Sequence, residues 1–319
     1  MVHTAVRSLR RRVLTPSMSE TLVSTRGFHE GKPDERRMIE AVGRYFLTGY
    51  GHAVETASPA RTDGLLRDLP ERFRGFAYEG AAMGFTVLDA LLPRGRRTTA
   101  FLAGVGRPHL YMAYVGVGWA MARLPRPLWP SPSGFDPVLR WLVLDGYGFH
   151  QTYFRTRRFV RGQALDHRPA RWSGAPGYAA RAFDQGVGRA LWFVACADPD
   201  RAADLVESFP PGRRADLYGG VGLAATYAGG GASGLSALRE RAGEHRRWLA
   251  QGSAFAAEAR ARAGLVVPHV AAATGALCGL SPEAAADLAR STRPESDGDG
   301  EEGVGYEVWR ARLADRLAC

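Results

Sequence analysis

The sequence predicts an all-α protein, an α/α superhelix built from helical-hairpin repeats of about 34 residues. Three observations carry that prediction. A glycine-led doublet recurs along the chain at a loose period. Its flanks, such as FRGFAYEGAAMGFTVLDALL, are long and lack the alternation of a β-strand. Between the copies lie acid-proline and serine-proline pairs of the kind that start helices.

Written from the residue before the first glycine, the copies are TGYGHA (48–53), EGAAMG (79–84), VGVGWA (115–120), DGYGFH (145–150), QGVGRA (185–190), GGVGLA (219–224) and QGSAFA (251–256). The leading glycines, Gly49, Gly80, Gly116, Gly146, Gly186, Gly220 and Gly252, are 31, 36, 30, 40, 34 and 32 residues apart. Gly or Ala follows two residues later, and again four later except at His150. Positions i and i+4 share a helix face, so small residues at both are expected to let a neighbouring backbone approach. Glycine inside a helix costs about 0.5–1 kcal/mol relative to alanine. Its return at one register therefore implies a packing gain larger than that.

Residues 1–30 read as a basic N-terminal segment. MVHTAVRSLRRRVLTPS has no apolar core and no small-residue cleavage site, so no secretory signal is read. Residues 31–290 read as the helical-repeat domain. Within it Asp198-Pro199 is expected to open DPDRAADLVESF, Ser233 or Ser236 to cap LSALRERAG, and Ser281-Pro282-Glu283 to open SPEAAADLARS. The longest interval, between Gly146 and Gly186, holds RTRRFVRGQALDHRPARWSGAPG, an arginine-rich insertion expected to be exposed. Residues 291–305 read as an acidic linker, low in apolar residues. Residues 306–319 then read as a last amphipathic helix, docking through Val308, Trp309, Leu313 and Leu317.

The net charge is +10, yet Lys32 is the only lysine, which points to GC-rich coding as much as to a partner. No nucleic-acid-binding motif accompanies the charge, so nucleic acid is not the expected partner. Mean hydropathy is −0.21 and no long apolar run suggests a membrane span. Cys196, Cys278 and Cys319 are scattered and odd in number, as expected of a reducing cytoplasm rather than a disulfide or zinc framework.

Several chemistries lack their signatures. No doublet follows a strand with the third glycine and distal acid of a dinucleotide fingerprint, and no GK[ST] P-loop occurs. HExxH, paired Glu-x-x-His and Gly-x-Ser-x-Gly are also missing. The sequence names no metal ligands and no cofactor.

The repeat register does single out positions. Thr48, Glu79, Val115, Asp145, Gln185, Gly219 and Gln251 precede the leading glycines, and His52, Met83, Trp119, Phe149, Arg189, Leu223 and Phe255 lie one turn on. Side-by-side helices would join them into one stripe of acids, amides and aromatics, bordered by Tyr78, Tyr114, Asp184 and Tyr218. Such a wall suits a small-molecule site. The candidate catalytic residues are Glu79, Asp145, His150 and Asp184. The candidate substrate-binding residues are Tyr78, Tyr114, Trp119, Tyr147, Gln185, Arg189 and Tyr218. Taken singly, each acid also reads as a buried cap or an arginine partner, and His150 as a packing histidine.

LRRRVLTPSMSET, RGFHEGKP, FLTGYGHAVE, LPERFRGFAYEGAAMGFTVLD, YMAYVGVGWAMARLPR, LRWLVLDGYGFHQTYF, DQGVGRALWFV and RRADLYGGVGLAATYAGG together resemble a bacterial family of unknown function often called UnbL. Its members are encoded beside enediyne polyketide synthases in actinomycetes. The resemblance covers nearly the whole chain. It implies a cassette that helps turn a linear polyene into the enediyne core, and it supplies no catalytic residues. Three readings follow: a protein acting on or binding a polyene or polyketide intermediate; a non-catalytic scaffold or carrier-protein adaptor; and a metal- or haem-dependent oxidase. In the first two, Arg155, Arg157, Arg158 and Arg161 would meet an acidic acyl carrier domain.

Overall fold

The computed structural model describes residues 2–92, 95–295 and 304–318. Residues 296–303, the middle of the expected acidic linker, lie outside the described residues. The protein is all-α, with no strand among the described residues. Seven helices carry the doublets: α1 Pro33–Thr56, α2 Glu71–Leu91, α3 Leu110–Arg123, α4 Trp141–Phe154, α5 Pro176–Val194, α6 Pro211–Ala228 and α7 Arg246–Arg262. The last helix, α8, is Gly305–Arg316. Shorter helices connect them.

Local sequence sets several boundaries. Pro33 occupies the first turn of α1 with Asp34 and Glu35 beside it, where a missing N–H costs nothing and acids meet the positive helix end. Asp198 caps Pro199–Glu207 by accepting from the Arg201 N–H, and Ser281 caps Pro282–Ser291 by accepting from the Ala284 N–H. Neither Ser233 nor Ser236 caps Leu235–Arg241, which starts from Gly234 without a side-chain cap.

Each doublet helix packs against the next in chain order, and the doublet is the reason. The expectation paired i with i+4, but the working pair is i with i+2. Those two positions are about 200° apart at 3.6 residues per turn, so they face opposite neighbours. Gly116, Gly146, Gly186, Gly220 and Gly252 each lie against the carbonyl of Glu79, Val115, Asp145, Gln185 and Gly219, the residue before the preceding helix's leading glycine. Gly118, Gly148, Gly188 and Gly222 lie against the carbonyls of Val143, Phe183, Leu217 and Leu249 on the following helix. A β-carbon at any of these would overlap main-chain atoms. The α1–α2 pair is reciprocal instead, Gly49 on Ala77 and Gly80 on Phe46.

The row of helices curls until its ends touch. Phe76 of α2 meets Tyr227 of α6 edge-on, with ring centroids 5.1 Å apart. Arg260 of α7 is fully buried and donates to the carbonyls of Arg72 (2.9 Å), Glu71 (3.4 Å) and Tyr227. This places the negative carbonyl end of α6 and the start of α2 on one guanidinium. Helix α8 and the residue after it close part of the interior: Tyr306, Trp309, Arg310, Leu313 and Leu317 are buried, and Val308 only partly. The Trp309 indole N–H donates to Ala289 O at 2.7 Å. No described helix is long and apolar enough to cross a membrane.

Candidate functional site

The curl gives each helix an inner face, and the doublet register decides which residues occupy it. Residues one before and three after a leading glycine are four apart, so they share a face. Glu79, Asp145, Gln185, Gly219 and Gln251, with Met83, Trp119, Phe149, Arg189, Leu223 and Phe255 one turn on, line spaces inside the curl. Helix α1 is out of register because of its reciprocal contact with α2. Thr48 turns its hydroxyl back to Arg44 O, His52 is only partly buried, and Val42, Gly43, Phe46 and Leu47 face inward in their place.

The largest of these spaces is a groove with about 50 Å³ of solvent-sized room, partly open to solvent, between α1–α5 and the N-terminal residues Pro16, Glu20 and Thr21. Its walls are aromatic. The Trp119 ring lies 4.6 Å from Phe46, 5.1 Å from Phe149, 5.2 Å from His150 and 5.9 Å from Tyr153. Edge-to-face aromatic contacts of this kind are worth about 0.5–1.5 kcal/mol each beyond the area they bury.

Three residues that line this space each carry a buried polar atom without a hydrogen-bond partner among the described residues: Glu79 Oε1, His150 Nδ1 and the Trp119 indole nitrogen. A buried polar group left unmatched costs free energy, so each is a place where a ligand can make a return. Burial pushes the Glu79 carboxyl up to about 8, with Asp145 raising it further against the pull of Arg189. Burial, then Arg123 and Arg155, pushes His150 down to about 3. At neutral pH the groove therefore presents a protonated acid and an unprotonated imidazole. That combination offers a ligand a hydrogen-bond donor at one point and a hydrogen-bond acceptor at another.

Smaller spaces continue inward. One shares Phe76, Glu79, Phe149 and Phe193 with the groove and adds Arg189, Leu223 and Tyr227. The next shares Arg189, Leu223 and Tyr227 with it and reaches Phe255, Tyr306 and Trp309. Glu79 thus stands between the groove and this interior.

The other candidate acids sit elsewhere and are paired. Asp145 meets Arg189 at 2.8 Å with both side chains buried, and Asp184 meets Arg213 at 2.5 Å. Burial pushes both carboxyls up and the partner guanidinium pulls each back. Gln185 lies near Asp216 (3.4 Å), whose carboxylate also holds Arg310 at 2.5 Å.

Four candidate tyrosines leave the inner face. The Tyr78 hydroxyl donates to Asp63 at 2.5 Å, the Tyr114 hydroxyl accepts from the Asp136 N–H, and the Tyr147 hydroxyl donates to Asp166 at 2.9 Å. Tyr218 stacks on His245. One residue along a helix is about 100° of rotation, enough to turn Tyr78, Tyr114 and Tyr218 away from the stripe. These side chains hold connecting segments. Conversely, the register offered no signal for Phe46, Phe193, Tyr306 or Arg310, which the chain brings inside by other routes. Among the described residues, no three His, Cys, Asp or Glu side chains gather as a metal site.

The sequence matches the DUF1702 family, described as proteins of unknown function, over residues 5–317. No curated protein and no solved structure matches it.

Proposed function

The chain belongs to the DUF1702 family, and from that premise and its internal groove we propose that it holds a long unsaturated hydrocarbon chain and transfers protons on it. The observation that carries this reading is the Glu79–His150 groove: aromatic walls, an unpaired buried acid and an unpaired buried imidazole. A flat conjugated chain gains apolar contact along such walls. A proton given by Glu79 at one carbon and another taken by His150 further along isomerises a polyene without any redox change; the step requires that the bound ligand raise His150 from the value of about 3 at which burial holds it. The resemblance to UnbL supports a specific candidate, the linear polyene or polyketide intermediate of enediyne core formation, in an actinomycete cytoplasm. In this role Glu79 donates, His150 accepts, and Trp119, Phe149 and Phe46 hold the chain. Asp145, Asp184 and Arg189 keep the helices that carry them in place.

The test is mass spectrometry of protein purified from a producing host, with polyene turnover by Glu79→Gln and His150→Ala variants. A retained polyene and lost turnover in both variants would support the reading. Unchanged turnover in both would end it. A scaffold reading rests on a different observation: Arg155, Arg157, Arg158 and Arg161 are all exposed. An adaptor would keep function in the Glu79 variant and lose it when these four are neutralised.

A further inference from the structure

A cavity with more solvent-sized room than the groove lies outside it, where the N-terminal segment, the arginine-rich insertion, the end of α5 and the helix Pro199–Glu207 meet. It encloses about 260 Å³ of solvent-sized space. Its apolar side is Phe28, Val160, Val194 and Leu205, and its polar side is His29, Arg161, Arg201 and the Thr156 hydroxyl. Among the described residues, no acidic side chain lines it. Asp198 stands 4.0 Å from His29 and Asp204 4.0 Å from Arg201, both beyond direct hydrogen-bond range. Arg161 has no ion-pair partner among the described residues, although its side chain projects from a turn whose Phe159 and Val160 are buried.

We propose that this cavity is a binding site for a phosphate ester carried on an extended, weakly polar chain. Two arginines from separate segments, Arg161 and Arg201, line it, and arginine takes phosphate oxygens in a planar, bidentate way. The hydroxyl adds a donor, and the four apolar side chains give the chain attached to the phosphate a surface to lie on. Arg155, Arg157 and Arg158, also exposed, raise the local positive potential and draw an anion in. The site does not depend on what fills the groove. It does share a wall with it: Phe28 packs edge-on against Tyr153 at 4.9 Å, and Val194 follows Phe193.

Titration calorimetry with coenzyme A, and separately with pantetheine lacking the phosphates, reads the proposal directly. Coenzyme A is expected to bind, with affinity falling as salt rises, and pantetheine to bind at least about tenfold more weakly, a difference of about 1.4 kcal/mol. The Arg161→Glu/Arg201→Glu double variant, both positions being exposed, is expected to melt normally and lose the coenzyme A signal. His29→Ala is expected to weaken it less. Equal binding of the two ligands, or full binding by the double variant, overturns the site. An acidic carrier domain bearing a phosphopantetheinylated serine, compared with its unmodified form, separates a tethered source from a free one. Polyene retention is a separate readout, so failure here leaves the groove reading standing and the reverse.

Discussion

The α-carbon of Gly186 on α5 lies against the main-chain carbonyl of Asp145 on α4, with no space for a β-carbon between them. Helix propensity alone would make Gly186→Ala stabilising by up to about 1 kcal/mol. The contact reverses that sign, because the added methyl must push two backbones apart, and overpacking costs about 1–3 kcal/mol. Gly275, in the exposed part of Pro268–Cys278, has nothing within 4 Å of where a β-carbon would be. Urea unfolding is expected to show Gly186→Ala destabilised and Gly275→Ala stabilised. Equal effects would show that the doublets are not packing devices.

Asp145 and Arg189 are a buried pair at 2.8 Å, and this determines what Asp145→Asn can report. Removing the charge strands Arg189 in the interior, and breaking one side of such a pair costs about 3–5 kcal/mol. The variant is expected to lose stability as well as any turnover, so it cannot by itself mark Asp145 as catalytic. Asp145→Leu combined with Arg189→Met removes both charges and is expected to recover a large part of the loss. A thermal-melt cycle over the four proteins checks this, and an Asp145→Asn that melts like the parent would contradict the pairing.

The pH dependence of stability isolates Glu79. Its carboxyl is raised from 4.5 to about 8 by burial. Below about pH 4.5 the folded and unfolded chains both hold the proton, and the group costs nothing. Between about 4.5 and 8 the unfolded chain releases it while the folded chain keeps it, so stability falls as pH rises and levels off above 8. His150, lowered from 6.5 to about 3, acts the other way, and its contribution is lost as pH falls from 6.5. Glu79→Gln removes the first slope only. Its urea midpoint relative to the parent is expected to climb between about pH 5 and pH 8; a constant offset would mean that Glu79 ionises normally.

Why the inner stripe was legible and the tyrosines were not is a matter of rotation. Glycine contacts fix one face of each helix absolutely, so residues at fixed offsets, such as Glu79 and Trp119, follow. Tyr78 is only one position from Glu79, yet its destination depends on where the connector places Asp63, which no period encodes. The same limit hides Arg310 and Tyr306. Their helix packs inward because Asp216 and Gln251 lie ready on α6 and α7, a long-range pairing without a local signal. The reciprocal α1–α2 contact likewise moved Phe46 into the place expected for Thr48 and His52.

Trp119 gives the groove its own reporter. Its ring touches residues from α1 and α4, and its indole N–H is unmatched. A conjugated chain in the groove would lie within contact of that ring and accept excitation from it. Titrating a conjugated polyenoic acid is expected to quench tryptophan emission in the parent and to quench much less in Trp119→Phe, although six other tryptophans remain of the seven. Trp119→Ala, which opens the wall, is expected to weaken binding about tenfold, or about 1.4 kcal/mol, close to the worth of an aromatic contact. Phe159 is a suitable control: it is fully buried but outside the groove, so Phe159→Leu should leave the quenching intact. Quenching that survives Trp119→Phe unchanged would place the polyene elsewhere and remove the groove from the mechanism.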